Sequence, residues 1–221
     1  MWVWVTSAGE NGVLLKASIQ SLPRELSLPG DGILRIKPLR ELESLRCGKV
    51  SYRDITITSP VTGHRDRVPP AEAPALQHIA ELEGDALELR LVIPREEAVR
   101  KLFGFTLFDD GKGGGLQILL RPENGTLRVG TTEAPFAVKD LPNGENVELR
   151  IFIDKYIVEV FANDRQALLA AYTGQKGSHA LHAFTVGTET TIKSIDIWRL
   201  QPANRGFFDA RDSRVWEPDK T

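Results

Sequence analysis

The 221-residue sequence contains a single cysteine, Cys47, so no intrachain disulfide bond can form. No apolar run approaches the roughly 18 residues of a membrane span, and no transmembrane helix is predicted. The net charge of −2 gives no basis for binding nucleic acid or an anionic membrane surface. The N-terminus lacks the basic stretch and long apolar core of a signal peptide, which predicts a cytoplasmic location if the chain is translated as given.

Helical periodicity is also scarce, and most of the chain alternates apolar and polar residues. The clearest example is residues 147–172, where three short apolar runs are separated by Asp154-Lys155 and Asn163-Asp164. Period-2 alternation broken by turn residues is typical of antiparallel strands with one buried face. The leucines at positions 39, 42 and 45 are an exception, and they predict one or two helical turns or an extended edge.

About a dozen such strands follow one another at intervals of roughly 8–12 residues, which is the pattern of a two-sheet sandwich. The predicted fold is all-β: a concanavalin-like, antiparallel β-sandwich with about six strands in each sheet. Hairpin turns are predicted at Gly84-Asp85 and at residues 109–115. A third is predicted at Asn124-Gly125, because Asn-Gly readily supplies the positive φ angles of a type I′ turn.

Few residues are arranged for chemistry. The glycines at 111 and 113–115 do not lead from a strand into a helix, which argues against a phosphate-binding loop. His179 and His182 are three residues apart, so on a strand they face opposite sides and are badly placed to share a metal. Asp109-Asp110 lies in a glycine-rich loop, which suits a turn or a weak calcium site better than a catalytic acid–base pair.

Several other conspicuous side chains also have simple structural interpretations. Glu159 is flanked by two valines, which predicts an outward-facing, solvated cross-strand partner for Arg150 or a neighbour. Trp198 and Trp216 are interpreted as core or interface residues rather than as platforms for stacking sugars. Cys47 is interpreted as a small core or surface thiol rather than a nucleophile.

Three ordered blocks of the sequence resemble glycoside hydrolase family 32, which contains invertases, levanases, inulinases and other β-fructosidases. Residues 19–46 resemble the junction between that family's catalytic propeller and its C-terminal sandwich. Residues 149–168, LRIFIDKYIVEVFANDRQAL, resemble a late sandwich hairpin, and residues 192–200 resemble the final strand. The resemblance implies a five-bladed propeller that carries the active site, followed by a sandwich of two six-stranded sheets.

The same resemblance assigns no catalytic residue to this chain. The family's nucleophile is an aspartate in a Trp-x-Asn-Asp-Pro type motif, its transition-state aspartate lies in Arg-Asp-Pro, and its acid/base glutamate lies in Glu-Cys. Here Asn163-Asp164 is followed by Arg165, no Arg-Asp pair precedes a proline, and Cys47 follows Arg46. No catalytic, metal or cofactor residues are therefore predicted, and sugar-binding residues stay unassigned.

The resemblance also divides the chain into three parts. Residues 1–28 are interpreted as a remnant of the last propeller blade and a linker, with Trp2 and Trp4 normally packed inside that blade. Residues 29–200 are the predicted sandwich. Residues 201–221 are a predicted tail that packs its aromatic residues back onto the sandwich: Phe207, Phe208 and Trp216.

Three functions remain open from the sequence. The first is a non-catalytic sandwich module that stabilises the propeller of a β-fructosidase acting on sucrose or fructans. The second is a module that binds fructan or another glycan by itself, with residues 109–115 or 63–74 as a shallow site. The third is an interaction module that pairs with itself or with a separate propeller through residues 1–18, where an apolar strand lacks its neighbours.

Overall fold

The structure is a computed structural model that describes residues 1–5, 19–58, 76–99, 102–109, 115–172, 180–186, 188–203 and 206. Short helical segments lie at Arg40–Leu45 and Val138–Asp140, both 3-10, and at Arg95–Ala98, one α-helical turn. All other regular elements are strands: β1 Trp4–Val5, β2 Ile19–Gln20, β3 Arg24–Ser27, β4 Arg35–Pro38, β5 Arg46–Ile57, β6 Gln77–Glu81, β7 Ala86–Ile93, β8 Leu102–Leu107, β9 Leu116–Arg121, β10 Thr126–Val129, β11 Thr132–Pro135, β12 Val147–Asp154, β13 Ile157–Ala162, β14 Gln166–Ala171, β15 Ala180–Val186 and β16 Thr190–Leu200.

Twelve of these strands form two six-stranded antiparallel sheets, which confirms the predicted β-sandwich. The first sheet has the order β11-β10-β9-β8-β15-β6, and the second has the order β14-β13-β12-β7-β16-β5. Two small sheets, β1-β2 and β3-β4, precede them in the chain. The predicted helical turn is also confirmed, because its three-residue leucine spacing falls on the 3-10 helix at Arg40–Leu45.

The core lies between the two large sheets and forms one continuous apolar cluster. Alternate residues of each strand point into it, as a pleated backbone requires. On β12 these inward residues are no more than 1% exposed: Val147, Leu149, Ile151 and Ile153. On β9 they are no more than 2% exposed: Leu116, Ile118 and Leu120. Removal of this apolar surface from water is the main force that holds the sheets together.

The predicted three-stranded unit at residues 147–172 is confirmed as β12, β13 and β14, joined by tight turns. Asn163 and Asp164 have φ angles of 46° and 52°, which a type I′ turn requires at both central residues. The Asn124-Gly125 hairpin is also confirmed, since β9 pairs with β10. The predicted type I′ turn is wrong. The loop has four residues, 122–125, and only Gly125 among them has the positive φ that a type I′ turn requires at both central residues.

The predicted hairpin at Gly84-Asp85 is wrong. The strand before it, β6, pairs with β15 in the first sheet, whereas the strand after it, β7, pairs with β12 and β16 in the second. The turn therefore carries the chain from one sheet to the other. Local alternation does not distinguish a hairpin from such a crossover, because the pairing partners of both strands are remote in sequence.

The segment before residue 29 contains a strand that its polar composition did not predict. Arg24–Ser27 forms β3, which pairs with β4 across a turn at Asp31-Gly32. This hairpin spans residue 28, the predicted boundary between the linker and the sandwich. The division of the chain into three parts stays a prediction. Residues 6–18 and 207–221 lie outside the described residues, as does the side chain of Trp4.

Close packing at Gly104 on β8 gives a test of the first sheet. A Cβ atom added there would lie 2.6 Å from the carbonyl oxygen of Ile118 and 2.9 Å from Cζ of Phe184. We expect Gly104→Ala to lower the free energy of unfolding by about 1–3 kcal/mol, because the added methyl overpacks the sheet. Gly30→Ala is the matched control, since nothing lies within 4 Å of its Cβ position. Equal denaturation midpoints for the two variants would contradict this packing.

Candidate functional site

Part of the outer face of the second sheet, which points away from the core, is covered by other segments of the chain. Two carboxylates are buried there: Glu88 on β7 is 0% exposed and Glu159 on β13 is 2% exposed. Ionised carboxylates withdrawn from water need partners of opposite charge and hydrogen-bond donors. The chain segments that supply these partners therefore define the candidate site, a docking face on the sandwich.

Glu159 is held by the segment just before β3. Its Oε1 accepts a hydrogen bond from the backbone N–H of Leu22 at 2.5 Å, and its Oε2 accepts one from Nη2 of Arg24 at 2.6 Å. Burial raises the pKa of Glu159, and the hydrogen bonds from Leu22 and Arg24 oppose that shift. The predicted solvated role is wrong, because residues 21–24 cover the strand position that local alternation assigns to water.

Arg24 is buried like its partner, with side chains 7% and 3% exposed respectively. Its guanidinium carbon lies 5.3 Å from the centre of the Phe161 ring, so the cation rests on an aromatic face as well as on the carboxylate. The pair joins residues 135 positions apart. It is a long-range contact that fixes the early chain on the second sheet.

The first residues of the chain are attached to this anchor through hydrogen bonds. The backbone nitrogen of Met1 donates to the carbonyl of Arg24 at 2.7 Å, and the N–H of Arg24 donates to the carbonyl of Met1 at 2.9 Å. The N–H of Val3 donates to Oγ of Ser21 at 2.9 Å. We call residues 1–5 and 19–24 the N-terminal segment, which is connected to the sheet through Glu159.

Glu88 is held by two arginines. Arg46 donates to both of its oxygens, from Nε at 2.7 Å and from Nη2 at 2.6 Å, and Nε of Arg150 donates at 2.9 Å. The hydrogen bonds to Glu88 raise the pKa of Arg46. Glu43 of the 3-10 helix lies 3.3 Å from Arg46 and 3.4 Å from Arg150, so this network also fastens the helix to the sheet.

A third carboxylate on this face, Asp196 of β16, is surrounded by donors from β5. It accepts from Oγ of Ser51 at 2.6 Å and from Nη2 of Arg53 at 2.9 Å, and Nζ of Lys49 lies 3.3 Å away. Burial would raise the pKa of Asp196, but the hydrogen bonds from these three side chains outweigh it and lower the pKa.

Trp198 lies on the same face, half-buried, rather than in the core between the sheets. The guanidinium of Arg46 is 4.4 Å from its ring centre, and Nζ of Lys49 is 5.0 Å away. Cations therefore occupy the aromatic surface that a sugar would need for stacking. Trp216 lies outside the described residues.

A polar groove of about 350 Å³ lies at one side of the docking face. Its charged groups are largely committed to one another: Arg90 lies 2.5 Å from Glu148, and Arg165 lies 2.5 Å from Glu145. Burial raises the pKa of Asp164 in this groove. The arrangement stabilises the turn after β13.

The other candidates from the sequence do not converge on one site. Asp109 is buried, with Oδ2 3.7 Å from Nδ1 of His182, and Cys47 is a half-buried free thiol. His182 faces His78 of β6, with ring centres 5.3 Å apart. His179, Asp110 and the loops at 63–74 and 110–114 lie outside the described residues, so glycan binding there stays a prediction.

The described residues contain neither a cluster of metal ligands nor a membrane-spanning helix. Among them, no three His, Cys, Asp or Glu side chains are grouped to hold a metal ion. No helix in the same residues is long and apolar enough to cross a membrane.

The sequence matches a known protein family. Residues 41–199 match the family model described as glycosyl hydrolases family 32 C terminal. The raffinose invertase of Escherichia coli is 31% identical over 189 residues, which cover 80% of this chain and 34% of that protein. The sucrose-6-phosphate hydrolase of Zymomonas mobilis is 24% identical over 204 residues, covering 88% of this chain and 36% of that protein. The chain thus spans about a third of the length of these curated relatives.

Solved structures agree on the fold. The exo-inulinase of Aspergillus awamori superposes with a TM-score of 0.63 at 14% sequence identity, covering 90% of this chain and 40% of that one. At this level of identity the likeness concerns the fold alone. The sandwich of two six-stranded sheets is therefore an arrangement that larger proteins also contain.

The Glu159–Arg24 pair generates the first prediction for this face. Glu159→Ala leaves the Arg24 cation buried without its partner, and we expect a loss of about 3–5 kcal/mol in the free energy of unfolding. Hydrogen exchange of residues 1–5 and 19–24 should accelerate at the same time, because the N-terminal segment loses its anchor. The measurement is denaturant unfolding combined with amide exchange.

An exposed ion pair of the neighbouring hairpin supplies the matched control. Glu25 and Lys37 lie 3.1 Å apart with side chains 44% and 37% exposed, so Glu25→Ala should cost no more than about 1 kcal/mol. The double variant Arg24→Met/Glu159→Leu should recover much of the loss, because it leaves no unpaired charge. Equal effects of Glu159→Ala and Glu25→Ala would refute the anchoring role.

The lowered pKa of Asp196 predicts a pH dependence of stability. A carboxyl group that binds its proton more weakly when folded contributes stability above its unfolded pKa of about 3.9, and loses it as the pH falls through the folded pKa. Asp196→Asn should therefore be less stable than the parent at pH 6, and this gap should narrow by pH 3. Exposed Glu83→Gln serves as the control in urea unfolding. A gap that stays constant would contradict the assignment.

Proposed function

The chain belongs to the C-terminal domain family of glycoside hydrolase family 32, and from that membership we propose that it is the structural sandwich module of a β-fructosidase. In this role it stabilises a catalytic propeller that precedes it and supplies no catalytic carboxylate. The observation that carries the proposal is the buried Glu159–Arg24 ion pair, which fixes the N-terminal segment on the sandwich. A preceding domain is then held at a defined orientation.

The state of the buried carboxylates supports a non-catalytic role. Retaining glycoside hydrolysis needs two carboxyl groups about 5 Å apart, one of which donates and accepts a proton. Glu88 and Glu159 are instead engaged by the arginines 24, 46 and 150. Both carboxylates are also shielded from solvent, at 0% and 2% exposed, so neither is placed to exchange a proton with a bound sugar.

A replacement experiment tests the structural role. The C-terminal domain of the E. coli raffinose invertase is exchanged for this chain, and the chimera is compared with the invertase truncated before that domain. We expect the chimera to be soluble and to retain invertase activity, and the truncated protein to lose both. The chimera with Glu159→Ala should have a lower thermal midpoint, whereas the Glu25→Ala chimera should match the parent chimera.

The isolated chain completes this test. Incubated with sucrose, levan or inulin, it should release no fructose above the blank. Release that co-purifies with the chain would overturn the non-catalytic role. A chimera no more soluble or active than the truncated invertase would overturn the stabilising role.

Self-association is a second candidate function, and exposed apolar residues at the N-terminus favour it. Met1 is 49% exposed, Trp2 is 62% exposed and Val3 is 40% exposed. Such a patch is typical of a surface that contacts another chain or domain. Light scattering should detect an oligomer that Trp2→Ser dissociates, with Leu28→Ser as the control at another exposed apolar residue. A monomer at all concentrations would exclude this function.

A further inference from the structure

An open cavity of about 520 Å³ lies at one side of the sandwich, between edge strands of the two large sheets. β5 is an edge strand of the second sheet, and β6 is an edge strand of the first. Residues from the beginning of β5 and from β6 line the cavity, together with Leu87 and Ile197 of the buried core. The cavity therefore opens between the sheets and is separate from the docking face.

Arg199 of β16 brings a guanidinium group to this cavity. A Cβ atom added at Gly48 of β5 would lie 2.9 Å from Nε and 3.0 Å from Nη2 of Arg199, so the glycine leaves room for the guanidinium beside the strand. Arg199 is exposed, and in the described part of the chain it has no hydrogen-bond or ion-pair partner. Its N–H groups are therefore free to donate to a ligand.

The same cavity contains two side chains that accept hydrogen bonds. Glu83 is exposed in the turn after β6, and Tyr52 of β5 is half-buried with its ring packed against the core. Neither side chain has a hydrogen-bond partner among the residues that the structure describes. Glu83 and Arg199 also form no ion pair with each other, although both line the cavity. A ligand in the cavity can therefore reach a free donor group and a free acceptor group.

We propose that this cavity binds a neutral sugar, a mono- or disaccharide. An anionic ligand would be repelled by the carboxylates of Glu81 and Glu83, and a cationic ligand would be repelled by Arg199. A hydroxyl group both donates and accepts, so an uncharged polyol pairs with Arg199 and Glu83 at once. Apolar side chains of the same cavity suit the C–H faces of a sugar ring: Val50, Ile79 and Ile197.

The size of the cavity agrees with a ligand of this class. Small-molecule sites in proteins have volumes of about 300–1,000 Å³, are mostly apolar and carry a few polar groups that orient the ligand. The cavity of about 520 Å³ has both kinds of lining. This inference does not depend on the proposed function, because the cavity lies apart from the N-terminal segment and requires no catalytic domain.

A titration of the full chain with sucrose, followed by proton–nitrogen correlation NMR spectroscopy, tests the inference. We expect saturable shifts of the amide signals of residues 48–52, 78–83 and 197–199, with a dissociation constant in the millimolar range. Arg199→Met should weaken binding about tenfold or more, because it removes charged hydrogen-bond donors. Glu83→Gln should weaken it severalfold, because an amide oxygen accepts more weakly than a carboxylate.

Lys193→Met is the matched control, since it removes an exposed cation of the same strand outside the cavity, and it should bind sucrose like the parent. Glu83 lies in an exposed turn, so Glu83→Gln keeps the test valid if Arg199→Met lowers stability. The inference would be overturned by an absence of saturable shifts, by shifts confined to other residues, or by equal weakening in Lys193→Met and Arg199→Met.

Comparison ligands test the chemical class. Sodium phosphate and L-leucine, an anion and a zwitterion, should cause no saturable shifts at the cavity. If either of them binds there and sucrose does not, the assignment to a neutral sugar is wrong.

Discussion

Two carboxylates buried on the outer face of one sheet constrain the whole molecule. Glu88 and Glu159 lie where a simple sandwich would expose polar residues to water. A buried carboxylate without a partner costs several kcal/mol, so the sheet is stable only when cations reach both positions. Arg46 and Arg24 supply them, and both precede most of the sandwich in sequence. Residues 21–24 and the 3-10 helix at Arg40–Leu45 thus form a partial third layer over the second sheet.

This third layer connects the fold to the proposed role. In a β-fructosidase the segment before the sandwich would link it to the catalytic domain, and here that segment is bound to the sheet by ionic and backbone hydrogen bonds. A flexible linker would let the two domains move independently. A linker fixed at residues 21–24 would instead transmit the orientation of the sandwich to whatever precedes it.

The sequence predicted those parts of the fold that depend on local pattern. Alternation found the strands β12 to β14, and the turn at Asn163-Asp164 follows from residues that tolerate positive φ. The Gly84-Asp85 crossover and the burial of Glu159 were missed because both depend on contacts distant in sequence. Glu159 alternates as a surface residue should, and only the return of residues 21–24 makes its position buried. The sequence does contain a suitable cation, Arg24, but nothing in the sequence shows which carboxylate Arg24 pairs with.

The ion pair also explains why the third layer takes one defined position on the sheet. Glu159 accepts from the backbone of Leu22 with one oxygen and from the side chain of Arg24 with the other, so residues 22–24 are fixed in position and in register. An apolar pair of the same size would bury comparable surface, yet it would permit the segment to slide along the sheet. Directional bonds to a charged group restrict that freedom. For a segment that, under the proposed function, would orient a preceding domain, register matters more than the net stability of the pair.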